Sequence, residues 1–229
     1  MNSSLFRLAA ARVYSRICGS TLSVRGRSNH IALADSIRRH ARIRICGNGN
    51  YLEIGRGCRL WDLNLEIIGD SHHVTVGAGC EIRGGHWLLE DRASRLTVGA
   101  GTSMIGDVLV ASEGRAIVLG EDCMLGAGVE IRCSDGHSIL EQPNRVRINP
   151  PADVVLGAHV WLGAAVRVLK GVTIGANSIV AAGAIVTRDV PAGCVAVGIP
   201  ARVARTGVTW DRARLAAEPV QAPPASLLV

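Results

Sequence analysis

From Leu156 onward the chain divides into sixes without a gap: LGAHVW, LGAAVR, VLKGVT, IGANSI, VAAGAI and VTRDVP. Each unit opens on Leu, Ile or Val and carries Val, Ser or Ala at its fifth position. A large aliphatic every six residues, with a compact residue four later, describes a triangular parallel β-coil of about 18 residues per turn. One such coil cannot bury its own apolar face. Coils stacked about 4.8 Å apart bury a continuous column and satisfy one another's backbone hydrogen bonds.

The same signal runs earlier with longer turns, in HIAL, YLEIG, HVTVG, RLTVG and AIVLG. Their last aliphatics are Leu33, Ile54, Val76, Val98 and Leu119, at spacings of 21, 22, 22 and 21. Each early turn therefore carries three or four residues beyond the minimum, expected as bulges at corners. Cys58, Cys80, Thr102 and Cys123 each follow an aliphatic by four, so these cysteines are expected to pack the core. Aromatic content of 3% fits an interior too narrow for Phe and Trp, and His72 and His73 read as surface on a coil flank. Exposed coil ends would be open sheet edges, so both ends need covers.

The seven cysteines include no C-x-x-C pair and are odd in number, which argues against a zinc ribbon or a disulfide framework and for a reducing cytosol. A formal charge of +6 suits an anionic partner, but the arginines are spread along the chain and nucleic-acid binding is not expected. No apolar run is long enough to cross a membrane as a helix. The opening MNSSLFRLAAARVYSRICGS places Phe6, Ala10, Val13 and Ile17 on one helical face. Three readings stay open: a transit peptide, an amphipathic helix packed over one end of the fold, or a helix in which residues 1–20 touch a membrane surface. The domain reading is a cap over 1–27, a β-helix over 28–205 and a C-terminal helix and tail over 206–229, with TWDRARLAA at 209–217 as the second cover.

One place breaks the pattern. Leu119, Leu125 and Ile131 open three successive sixes, but the fifth position of the third is Asp135, and a carboxylate does not enter a dry column unpaired. From Leu119 to the next matching aliphatic, Leu156, is 37 residues. A projecting loop over 134–152 follows, and loops on rigid scaffolds are where function concentrates.

SDGHSI, then VWLGAAVRVLKGVTIGANSIVAAGAIVTRDVP, then AVGIPARV resemble the hexapeptide-repeat acyltransferases, and Ser-Asp-x-His followed by Trp-x-Gly is most similar to bacterial O-acetyltransferases of sialic acid polymers and other surface polysaccharides. The resemblance implies an all-β fold: a left-handed parallel β-helix with a projecting active-site loop and short helical ends. It implies acetyl-CoA as cosubstrate, a glycan or sugar acceptor, a cytoplasmic homotrimer with sites between subunits, and polysaccharide biosynthesis as the setting; no metal is expected, because His137 and His159 have no third ligand at a matching spacing.

Acetyl transfer to a hydroxyl needs a base, donors for the developing oxyanion and a slot for the pantetheine arm. His137 is the expected general base, since imidazole suits proton transfer near neutral pH. Asp135 either orients that ring or caps the turn. Trp161, at an outward position, is expected to wall the site or to pack between subunits. Gly163, Ala164, Ala181 and Ala182 would keep the slot narrow, with Lys170, Arg188 and Arg202 available to phosphates and Pro200 on the adenine side. A small-molecule acetyltransferase and a non-catalytic solenoid are the competing functions.

Overall fold

The computed structural model describes residues 3–216, with side chains from Arg7 onward. Its body is a three-sided prism of parallel strands, formed by sheets of eight, seven and nine strands in which each coil contributes one strand to each face. The first face runs from Thr21–Arg25 to Ile185–Val186, the second from His30–Ala32 to Thr173–Ile174, and the third from Ile37–Arg39 to Cys194–Val197. An antiparallel strand, Arg202–Thr206, closes the third face. The coil stack begins at Thr21, inside the segment expected to be only a cap.

The six-residue units pack as their spacing requires. Leu156, Leu162, Val168, Ile174, Val180 and Val186 are all buried, as are Val160, Val166, Val172, Ser178, Ala184 and Val190 at the fifth positions. Leu119 pairs in parallel with Leu156, so the chain leaves after one coil and rejoins the same ladder. Cys58, Cys80 and Cys123 are buried, and each thiol donates to the carbonyl of a glycine in the next coil, Gly77, Gly99 and Gly157, with Thr102 doing the same to Gly120. Small side chains fill this column and satisfy it at once.

The extra residues of the early coils widen the corner between the first and second faces. Gly26, Gly47 and Gly69 stack there with φ of 119°, 144° and 117°, and a Cβ on Gly47 would lie 1.8 Å from the carbonyl oxygen of Gly69. Only glycine fits. Inside that corner runs a polar ladder: Asn50 N–H donates to Asn29 Oδ1 (2.9 Å), His72 N–H to Asn50 Oδ1 (2.9 Å) and Ser94 N–H to His72 Nδ1 (3.1 Å). His72 is thus a buried rung rather than surface, its Nε2–H donating to Ile68 O, and burial lowers its pKa.

Two further expectations fail on packing. Trp87 is 1% exposed, in register between Leu65 and Leu109 in the core. Gly85 stands where the neighbouring coils have the buried Leu63, Asp107 and Val129, and a Cβ there would meet the Asp107 carbonyl oxygen at 2.7 Å. The helix Ser3–Ile17 does cap the first coil, but with its other face inward. Ala11 and Ser15 are buried, and Arg38 N–H at the strand edge donates to Ser15 Oγ (3.1 Å), while Val13 and Ile17 stand 60% and 79% exposed. Small residues let the helix reach the unpaired strand edge, and that contact outweighs burial of the aliphatic stripe.

Among the described residues, Asp107 is the one buried carboxylate. Val129 N–H donates to its Oδ1 (3.1 Å), its Oδ2 has no partner among the described residues, and burial pushes its pKa up to about 7. A raised folded pKa means that the fold is favoured while the group is protonated. Stability from this residue is therefore full below the unfolded value of 3.8 and lost as pH rises to about 7. The penalty above that window is on the order of a few kcal/mol. Asp107→Asn is expected to raise the urea midpoint at pH 8 and to flatten its change between pH 5 and pH 8. An unchanged slope in the variant would contradict the assignment.

Candidate functional site

The excursion between Glu130–Arg132 and Val154–Leu156 is a short antiparallel arm on the widened corner. Leu140 bridges Arg147, Ile148 N–H donates to Ile139 O (2.9 Å) and Glu141 N–H donates to Val146 O (2.9 Å). Ala152 N–H donates to Cys133 O (3.0 Å) and closes the base of the arm.

Two polar clusters fix the arm to the coil. Glu113, in the corner one coil earlier, receives the Arg147 guanidinium on both carboxylate oxygens and the Ser134 hydroxyl, and these bonds pull its pKa down to about 2. Asn149, only 7% exposed, is the second anchor. Its Oδ1 accepts from Ile139 N–H (2.7 Å) and Arg147 Nε (3.3 Å), and its Nδ2 donates to Asp135 Oδ2 and to the carbonyl of His137 (both 2.8 Å). Lys170 completes the cluster by donating to Asp135 and to Asn149 O (3.1 Å), and the Lys170 bond holds the Asp135 carboxyl below its usual range.

His137 therefore has a fixed backbone and a free side chain. It is exposed, and its ring nitrogens make no hydrogen bond among the described residues. Asp135 joins Lys170 and Asn149 rather than the His137 ring, so its carboxylate anchors the arm. Lys170, expected among the phosphate-binding cations, is spent on that anchor.

The remaining expected residues lie elsewhere on the prism. Trp161 points outward from the third face, 38% exposed, between Met124 and Ile179 in register. The arm leaves the corner before the second face, so within one chain that face separates His137 from Trp161. Gly163, Ala164, Ala181 and Ala182 gather at the corner between third and first faces. A Cβ on Gly163 would meet Ala182 N at 2.6 Å. The N–H groups of Ala164 and Ala182 donate to nothing among the described residues, so this corner of small side chains leaves two amides open to an acceptor. Pro200, after a cis peptide bond, and Arg202 stand exposed on the adjoining hairpin, and Arg188 is exposed at the arm's corner, one coil past Lys170.

The C-terminal segment was not foreseen in this form. Residues 209–216 form no helix; 217–229 lie outside the described residues. Trp210 instead stacks on His159 (centroids 4.1 Å) and lies 6.0 Å from the Trp161 ring. His159 Nδ1 faces Asp122 Oδ2 (2.7 Å) and Nε2 faces Trp210 O (2.9 Å). Two acceptors require the imidazolium, and the Trp210 carbonyl, with Asp122, raises the His159 pKa. Arg212 then donates to Asp122 and Ser103, so residues 210–212 form a strap beside Trp161.

A three-sided parallel coil with one projecting histidine arm defines a hexapeptide-repeat solenoid. Residues 153–188 match the model of the bacterial transferase hexapeptide (six repeats). The chain is 33% identical over 150 residues to the polysialic acid O-acetyltransferase of Neisseria meningitidis, covering 65% of this chain and 69% of that protein. It is 35% identical over 96 residues to the polysialic acid O-acetyltransferase of Escherichia coli O1:K1 / APEC, covering 42% of this chain but only 31% of that longer protein. The crystal structure of the polysialic acid O-acetyltransferase OatWY superposes with a TM-score of 0.80 at 30% identity, over 90% of this chain and 99% of that one. The chain belongs to the hexapeptide-repeat transferase family, and its coil is the left-handed parallel β-helix of that fold.

Proposed function

We propose that the protein is an acetyl-CoA-dependent O-acetyltransferase acting on a hydroxyl of a cell-surface glycan or its precursor, with His137 as general base. The observation that carries this reading is a histidine with a free, exposed ring whose main chain is pinned through Asn149. The hydroxyl oxygen attacks the acetyl carbonyl, His137 takes the hydroxyl proton, the C–S bond breaks, and the proton passes on to the departing thiolate. The Ala164 and Ala182 amides, with Pro200 and Arg202 on the adjoining hairpin, would hold the cosubstrate, while Arg188 stands at the arm's corner, across the first face, as a further cation for its phosphates. Similarity to two polysialic acid O-acetyltransferases supports a glycan acceptor.

His137 and Trp161 project from different sides of one prism, which supports a homotrimer in which the arm of one copy meets the third face and groove of the next. The indole would then wall the acceptor site across the interface. Acetyl-CoA as cosubstrate would support a cytoplasmic reaction.

Thiol release from acetyl-CoA by the purified protein tests this, against oligosialic acid, neutral polysaccharides, sugar nucleotides and a small hydroxylated antibiotic. Release stimulated by a polysaccharide is expected. Stimulation by the antibiotic or a sugar nucleotide alone would replace the glycan reading with a small-molecule one, and no stimulation with no acetyl-CoA binding by calorimetry would remove the enzyme.

A further inference from the structure

The charge of the chain is unevenly distributed along the prism. Residues 1–59 hold eleven arginines against Asp35 and Glu53, while the remainder holds fourteen basic residues against seventeen acidic ones. All of the net positive charge therefore belongs to the helix and the first coils.

That same end is where the hydrophobic column is left open. Leu22 and Val24 take the inward positions of the first coil, in register with the buried Ile43 and Ile45, but no earlier coil covers them and both are nearly half exposed. Beside them lies a cavity of about 510 Å³ whose lining combines Leu22, Ile31 and Leu33 with Arg12, Arg16 and Arg38. The helix adds Val13 and Ile17, which point away from the buried Ala11 and Ser15 and thus out of this end.

From these observations we infer that the N-terminal end of the β-helix is a docking surface for an anionic phospholipid bilayer. Aliphatic side chains ringed by guanidinium groups match the two layers of such a surface, with acyl chains and glycerol below and phosphates above. A soluble polyanion would use the arginines and leave Val13, Ile17 and the open column in water. A second copy of this end would bring like charges together. The surface is independent of the catalytic reading, because none of its residues belongs to the arm or to the small-residue groove. Docking would hold the acetyl-accepting site near a membrane where surface polymers are assembled.

Cosedimentation of the full chain with vesicles of phosphatidylcholine alone, and of phosphatidylcholine mixed with phosphatidylglycerol, tests the inference. Binding is expected only to the mixed vesicles and is expected to fall at high salt. Val13→Glu with Ile17→Glu, and separately Arg12→Glu with Arg16→Glu, should each weaken it by roughly tenfold or more. Unchanged thermal unfolding of both variants shows that the fold is kept, since all four side chains are exposed. Several results would overturn the inference: no preference for the anionic vesicles, binding that survives both double substitutions, retention on a soluble polyanion without vesicle binding, or light scattering that shows these substitutions splitting a head-to-head assembly.

Discussion

His137→Ala is expected to lower turnover by roughly 10²- to 10⁴-fold, the usual contribution of a positioned acid or base, while acetyl-CoA affinity stays within a factor of about two of the wild type. The asymmetry follows from where the side chain sits. His137 is exposed on the arm, its ring makes no hydrogen bond among the described residues, and it stands at a different corner from Ala164 and Ala182. Its removal takes away a proton acceptor and nothing structural. Steady-state rates with saturating acceptor, paired with calorimetric titration of acetyl-CoA, separate the two quantities. A loss of less than about tenfold would show that the hydroxyl proton leaves by another route.

Asn149→Ala should be the next most damaging change outside the base itself, with a fall of about 10- to 100-fold in kcat. Its side chain spans the arm, receiving Ile139 N–H and Arg147 Nε and donating to Asp135 and His137 O, so truncation releases the histidine main chain. Misplacement of a base by about 1 Å is enough for a loss of this order. Asn149 is a positioning residue, and Asn149→Asp distinguishes that role from simple packing. The carboxylate keeps the size and still accepts from Ile139 N–H, but it cannot donate to His137 O and it faces Asp135. Asp should therefore be as poor as Ala at neutral pH, with KM for acetyl-CoA unchanged in both. Near-normal kcat for Asn149→Asp would assign the residue to packing instead.

The solenoid was legible because its information is periodic. A residue such as Val98 repeats the environment of Val76 and Leu119, so spacing alone gave register, the cysteine column and the place where Asp135 forces the chain out. What escaped the periodic reading depends on single contacts. Trp87 is buried between Leu65 and Leu109, which no spacing rule marks, and His72 is buried because its ring continues a ladder begun by Asn29 and Asn50. The helix reverses its face because a strand edge rewards close approach at Ala11 and Ser15 more than it rewards the burial of Val13.

At the site the divide is the same. His137, Trp161 and the small residues of the groove stand at positions that the repeat or the motif marks. Glu113, Arg147 and Asn149 do not, since they come together only when the arm folds back on its coil. Asp135 could be placed in the arm from the sequence, but its partner could not, because Lys170 lies 35 residues further along and becomes a neighbour only through the stacking of coils.

The most direct measurement of the central claim follows the label from carbonyl-¹³C acetyl-CoA into a glycan acceptor by NMR, with wild type beside His137→Ala. An ester carbonyl on a sugar hydroxyl is expected, removed by mild alkali and lacking in the variant. An alkali-stable amide, or an ester formed equally well without His137, would contradict it.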